Sequence, residues 1–345
     1  MRFEDVCIEA FGHVIPERVV RSADIETRLA PIYERLKLSS GRLELSSGIR
    51  ERRFFAPGTR PSAVAADAGA IALEKSGIDR ERIGCLIHAA VCRDFLEPAT
   101  ASIVHDRLEL SERCSAFDLS NACLGFANAM AVAAAMIDRR EIEAALVVAG
   151  EDGGPLVEAT IRALVEDPRA GRAELKRAHA SLTIGSGAAA VVLAHRSISR
   201  AKKRFCGGFS LADTKHHALC RGDRADLFDG PLMETDSEAL MQAGNELAAR
   251  AWLGFQRELG WSASDVQRIV THQVGSAHKK LLFATLALDA KLDFPTVETL
   301  GNTGSVSLPL SFSLALERGF IRDGDKVALL GIGSGLQCLM LGVQW

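Results

Sequence analysis

The chain has 345 residues, 48% of them hydrophobic and 25% charged, and carries a formal net charge of -3 at pH 7. That length suits two domains, or one large fold made of two halves, around a sizeable core. The balance of charge argues against nucleic acid or an anionic membrane as the main partner.

The opening Met1-Arg2-Phe3-Glu4-Asp5 lacks an apolar signal core, so a cytoplasmic protein is expected. The longest run of small apolar residues, 129–137, falls short of the ~20 needed to span a membrane. Eight cysteines with no CxxC pair read as reduced thiols, not as a disulfide framework.

Strand and helix patterns alternate along the chain. Residues 6–10 predict a first strand. Ser22 suits the cap of a helical pattern that Pro31 interrupts. Residues 48–53, GIRERR, read as a charged loop. The amphipathic, alanine-rich stretch 62–75 ends at Gly77, as a helix with a C-terminal glycine should. A buried strand follows over 83–91, then a loop over 93–98 and a helix over 101–110. In 115–127, SAFDLSNACLGFA, a short apolar strand leads through a sharp turn to Cys123 and an alanine-rich helix reaching Ile137. Residues 144–149 are a buried strand ending in Gly150-Glu151-Asp152, and 153–180 read as helix plus loops. Gly185-Ser186-Gly187 precedes a valine-rich strand within 182–193.

The composition turns basic and polar over 195–204, a junction that divides the chain into halves 1–198 and 199–345. Residues 206–229 read as a strand plus a long polar loop. The strongest helical pattern of the second half is 237–259. A strand at 268–273, a helix at 275–286 and a helix at 305–318 after a glycine-rich turn follow. Strands at 326–330 and 336–343 are joined through Gly331-Ile332-Gly333-Ser334-Gly335. Each half carries a strand, a reactive residue and a helix, and each has a Gly-Ser-Gly before a closing strand. This is a long-period structural echo, and such alternation favours helix-covered parallel or mixed sheets.

Three stretches carry candidate chemistry. Cys123 sits where a helix begins, and free N–H groups with the positive dipole end there stabilise a thiolate. His272 follows a buried strand, and Asn302 lies in Gly301-Asn302-Thr303-Gly304. A lone cysteine in an alanine-rich helix is usually core packing, and an asparagine in such a turn usually serves backbone geometry. Together, at element ends where functional side chains are displayed, they form a pattern of nucleophilic catalysis.

Asn121-Ala122-Cys123 with its helix, His272-Gln273, and Gly301-Asn302-x-Gly304 with Pro309 resemble the Cys–His–Asn triad of the thiolase superfamily. Gly48-Ile49-Arg50-Glu51-Arg52-Arg53 and the closing Gly331–Gly335 run resemble its ketoacyl synthase III branch. The resemblance spans nearly the whole chain. It implies an α/β chain with the five-layered αβαβα fold, two similar halves and a homodimer. Arg93-Asp94-Phe95-Leu96-Glu97-Pro98-Ala99-Thr100-Ala101-Ser102 is most similar to OleA-type enzymes, which join two long-chain acyl-CoA molecules head to head without decarboxylation. In that group a glutamate at the position of Glu97 reaches the neighbouring subunit's nucleophile.

The chemistry accounts for that glutamate. Acyl transfer to Cys123 needs an oxyanion hole, for which the N–H groups of Cys123 and of Ser334 or Gly335 are the candidates. A decarboxylating synthase makes its carbanion by losing carbon dioxide, whereas a non-decarboxylating one needs a base for the alpha proton, here Glu97. By itself Glu97 reads as a solvated loop carboxylate; the ten-residue match makes it the base. The product this resemblance implies is a 2-alkyl-3-ketoacyl compound. Acyl-CoA enters as substrate, no cofactor or metal is implied, and downstream pathway enzymes are possible partners. The alternatives are a decarboxylating synthase that starts fatty-acid synthesis, and a non-catalytic acyl-binding protein on the same fold.

Other features carry less. His216-His217 between Cys206 and Cys220 fit no usual zinc spacing and read as a surface loop or a lid over an acyl channel. The Gly331–Gly335 run leads into a strand, so no helix N-terminus is available for phosphate. Arg50, Arg52 and Arg53 suit CoA phosphates but read first as a solvated loop.

Overall fold

The computed structural model describes residues 1–225 and 230–345. Nine strands form one continuous ladder. From edge to edge they are Arg268–Thr271, Lys326–Gly333, Gln337–Gln344, Lys203–Ala212, Val6–Val14, Gly187–His195, Ala144–Glu151, Ile83–His88 and Ser115–Asp118. The join between its two parts is short: Cys7↔Arg204 and Ile8↔Lys203 pair across it, with one further bridge at Arg2↔Gly207. The chain therefore builds two sheets that meet along a narrow seam.

Strand alternation sorts the side chains into layers. Ala145, Val147 and Ala149 face one apolar cluster, while Ala144, Leu146 and Val148 face another. In the second half, Val327 and Leu329 join the first cluster, and Ala328 and Leu330 join a third. The first cluster is the centre of the molecule. It contains Phe126, Met130 and Ala133 of helix Gly125–Asp138, and Leu308, Leu310 and Phe312 of helix Ser307–Glu317. Helix Pro61–Ser76 covers the outside of one sheet, and helices Ser237–Leu259 and Ser276–Leu286 cover the other. Counted through, the layers run α–β–α–β–α, the arrangement implied by the resemblance.

Small residues let these layers approach. A Cβ on Gly12 would come within 2.1 Å of the Ala68 carbonyl oxygen of the covering helix. The alanines of Gly125–Asp138 do the same for the central layer, and this largely apolar helix buries eight of its fourteen residues. The basic junction is pinned by a buried acid: Glu9 accepts hydrogen bonds from Ser199 Oγ, Arg200 N and Ala201 N.

Local expectations change in four places. Residues 48–53 do not form a solvated loop: Glu51–Phe54 is a strand paired antiparallel with Arg18–Arg21, and Arg52 is fully buried. Its guanidinium donates to Ser22 Oγ and to the Leu182 carbonyl, and burial lowers its pKa to about 10. Ser22 is the first residue of helix Ser22–Arg28, with its hydroxyl donated to the Ile49 carbonyl instead of capping, and Pro31 begins a separate helix, Ala30–Arg35. The stretch 206–229 holds more structure than a loop. A 3-10 turn over Thr214–Leu219 leads into strand Cys220–Ala225, which pairs with Gly230–Thr235. The remaining part of that expectation, 226–229, lies outside the described residues. His216 and His217 sit in the 3-10 turn and not in the cavity wall.

Candidate active site

The nucleophile's position is set by a tight turn. Strand Ser115–Asp118 lies parallel to Ile83–His88, and Leu119 N continues the ladder to the His88 carbonyl. The chain then reverses at Ala122, whose φ of 45° is left-handed, a conformation that costs a non-glycine residue of order 1 kcal/mol. Cys123 follows inside a 3-10 turn, Ala122–Leu124, and the α-helix begins only at Gly125. The turn is clamped from both sides. Asn121 and Gln337 exchange side-chain amide hydrogen bonds, and Asn121 also donates to Asn128. Leu124 packs on Gly331 and Gly333, where an added Cβ would approach it to 2.6 and 2.9 Å.

The expected stabilised thiolate is not what this setting produces. Burial pushes the Cys123 thiol up to about 12, and the neighbouring carboxylate of Glu151 adds to the rise. Desolvation of a charge outweighs the attraction of a short helix end. The resting nucleophile is thus a thiol and needs a base to take its proton.

His272 supplies a neutral imidazole. It follows strand Arg268–Thr271, its N–H bonded to the Leu330 carbonyl. The next residue, buried Gln273, holds this end of the strand by donating to the Phe294 carbonyl and accepting from Thr296 N and Val297 N. Burial lowers the His272 pKa to about 4, with His278 adding to the fall. Its Nδ1 has no hydrogen-bond partner. Asn302 is held by its backbone, donating to the Thr183 carbonyl and accepting from Gly185 N. Its Oδ1 accepts from Gly304 N at 3.0 Å, which leaves the Nδ2 hydrogens for a ligand oxygen. Glycine suits 301 and 304, where φ is +69° and +58° and an added Cβ would meet the Thr183 carbonyl oxygen at 2.7 Å and a Glu151 oxygen at 3.1 Å.

Cys123, His272, Asn302 and Ser334 all border one cavity of about 1690 Å³. Its walls are largely aliphatic, with Leu43, Leu156, Leu232, Met241 and Leu282 among them, and it reaches from the first half of the chain to the paired strands Cys220–Ala225 and Gly230–Thr235. Gly335 lies one residue beyond Ser334, in a left-handed turn with φ +77° outside the wall. Glu97 does not enter this cavity. It is exposed, and the segment carrying it is braced: Asp94 accepts from Ser62 N and Oγ, and Arg60 stacks over Phe95. One cavity residue had no place in the sequence reading. Glu151, 4% exposed, ends the strand Ala144–Glu151 and collects hydrogen bonds from residues far away in sequence. Only its position after a buried strand hinted at it.

The model for 3-oxoacyl-[acyl-carrier-protein] synthase III matches residues 117–209, and the model for its C-terminal region matches 256–345. The acyl-CoA:acyl-CoA alkyltransferase of Shewanella oneidensis is 35% identical, and that of Xanthomonas campestris 37%, each over 100% of both chains. The chain belongs to the acyl-CoA:acyl-CoA alkyltransferase (OleA) family. A beta-ketoacyl-[acyl-carrier-protein] synthase III of Cereibacter sphaeroides is more distant, at 29% over 98% of each chain. Crystal structures of Xanthomonas campestris OleA share the fold closely: one with its cysteine replaced by alanine has a TM-score of 0.95 at 36% identity, covering 100% of this chain and 98% of that one. Another, at a TM-score of 0.94, holds lauric acid and lauroyl-CoA and covers 99% of this chain and 100% of that one. The OleA-family fold here places a half-buried thiol, a neutral imidazole and an oriented amide on one apolar cavity.

Proposed function

We propose that the protein condenses two long-chain acyl-CoA molecules head to head, without decarboxylation, through an acyl-Cys123 intermediate. The observation that carries this reading is the apolar cavity of about 1690 Å³ with a half-buried thiol and a neutral imidazole in its wall. It fits alkyl chains, and the likeness to a relative that holds lauroyl-CoA supports the substrate class.

The steps follow from the groups present. Neutral His272 takes the Cys123 proton as sulfur attacks the first thioester. The C–S bond to CoA breaks, and the CoA thiolate leaves with that proton. The N–H groups of Cys123 and of Ser334 or Gly335 serve the developing oxyanion. His272 and Asn302 then hydrogen-bond the thioester oxygen of the second acyl-CoA. Glu97 of a second copy in a homodimer removes its alpha proton. The carbanion attacks the acyl-Cys123 carbonyl, a C–C bond forms, and the Cys123 sulfur departs and is reprotonated. The 2-alkyl-3-ketoacyl thioester is released as the acid after hydrolysis. The basic side chains of Arg42, Arg172 and Lys176 in the cavity wall suit the phosphates of CoA.

The test uses radiolabelled myristoyl-CoA as sole donor. Label on Cys123 and a β-keto acid or its ketone are expected. Cys123→Ala should take no label, and Glu97→Ala should take label but make no product. Product formed only with an added malonyl thioester would favour the decarboxylating alternative and overturn the head-to-head reading.

A further inference from the structure

Glu151 is a buried carboxylate that the steps above do not use. Its oxygens accept four hydrogen bonds: from Val91 N at 2.9 Å, Cys92 N at 3.1 Å, Ser305 N at 3.2 Å and Ser305 Oγ at 2.7 Å. The first two come from the root of the segment that carries Glu97. The other two come from the turn that follows Asn302, where Gly304 also lies close: an added Cβ would sit 3.1 Å from a Glu151 oxygen. The same side chain borders the cavity beside Cys123. A buried carboxylate with its acceptor sites filled is a rigid joint, because no water competes for it.

We infer that Glu151 is a positioning residue for the condensation step, its carboxylate tying the root of the Glu97 segment and the Asn302 turn to the Cys123 pocket. This rests on the reading that Glu97 and Asn302 act in condensation. Acylation of Cys123 needs only His272 and the oxyanion donors, so Glu151 should matter less there. A joint of this kind also ties the pocket of one subunit to the base that the same subunit donates to its partner.

The position has an electrostatic signature that packing alone lacks. Desolvation is the main cause of the raised Cys123 thiol, with the Glu151 carboxylate next and Cys220 after it, and His272 faces the same cavity. Cys92, whose N–H it holds, is raised by desolvation first and by the same carboxylate second. Glu151→Gln keeps the shape, removes the charge, and sets an amide NH2 against N–H groups that need an acceptor.

The experiment compares full-length wild type, Glu151→Gln and Ser305→Ala. Mass spectrometry follows Cys123 acylation by myristoyl-CoA, product assay follows condensation, and the pH profile of Cys123 alkylation by iodoacetamide follows the thiol. For Glu151→Gln, the expected result is condensation lowered at least about tenfold relative to acylation, with the alkylation profile moved to lower pH. Ser305→Ala, a milder change that keeps the folded chain testable, should lower that ratio about threefold with the thiol profile in place. A ratio and a profile within twofold of wild type in Glu151→Gln, or an unchanged ratio in Ser305→Ala should Glu151→Gln not fold, would overturn the inference. If wild type makes no product from myristoyl-CoA alone, it is the head-to-head reading that fails. The Glu151→Gln alkylation profile, and the ratio measured with a malonyl thioester, then still decide the role of Glu151.

Discussion

At the scale of single residues, protonation sets the chemistry. The Cys123 thiol lies near 12 and His272 near 4, so at neutral pH the pair is thiol and imidazole, not thiolate and imidazolium. Acylation should hold its rate as pH falls to about 5 and fail as His272 protonates near 4, which single-turnover acylation across pH will measure. The stability consequence has the same sign. The folded pKa of His272 lies below its ordinary 6.5, so its contribution is present above 6.5 and is lost as pH falls through the window from 6.5 to 4. His272→Asn should therefore flatten the fall of Tm over that window. That Cys123, His272 and Asn302 share one cavity wall was foreshadowed in the sequence by their places at element ends and by the family resemblance. The raised thiol was not, since it depends on burial by distant segments. Glu151 was hidden for the same reason: its partners lie 60 and 154 residues away.

At the scale of elements, the segment 93–98 stands as a braced arm, and the bracing comes from helix Pro61–Ser76. Asp94 accepts from Ser62 N and Oγ at 2.9 and 2.6 Å, and Thr100 Oγ1 accepts from Asp94 N. At its far end, Asp118 holds Thr100 N and Ala101 N, the start of helix Thr100–Arg107. Asp94→Ala removes a helix-capping carboxylate and should cost about 1 kcal/mol of stability. It should lower condensation about tenfold while leaving Cys123 acylation near wild type, read by the same pair of assays. Period and punctuation made most long elements readable, as with 62–75 against Pro61–Ser76 and the exact limits of Ser237–Leu259. The short strand Glu51–Phe54 was not readable, because three charged residues in four mask it. Its alternating burial comes from pairing with Arg18–Arg21 and from the cavity-side turn that surrounds Arg52.

At the scale of the molecule, one sheet edge is left open. Ser115–Asp118 ends the nine-stranded ladder, and Phe117 on it is 36% exposed. In the segment after the neighbouring strand, Val91, Phe95 and Leu96 are 56, 46 and 88% exposed. An uncovered edge with apolar side chains nearby is suited to pairing with a second copy, which would also carry Glu97 out of its own subunit. If the chain pairs through this edge as proposed, wild type sediments as a dimer, and Phe117→Asp should shift it to monomer by analytical ultracentrifugation and abolish condensation. A helix-covered mixed sheet was legible from the repeated strand–helix order and the five layers from the family resemblance, but the edge at Ser115–Asp118 was not, because strand order is a property of the assembled sheet.

The most direct test combines nucleophile and base. Cys123→Ala and Glu97→Ala chains, each inactive alone, are co-expressed and given myristoyl-CoA with no malonyl thioester. Half of randomly assembled dimers are mixed, and each mixed dimer has one complete site of two. The account predicts about a quarter of wild-type condensation. No product from the mixture, with wild type active beside it, would contradict a Glu97 base supplied across the dimer to acyl-Cys123.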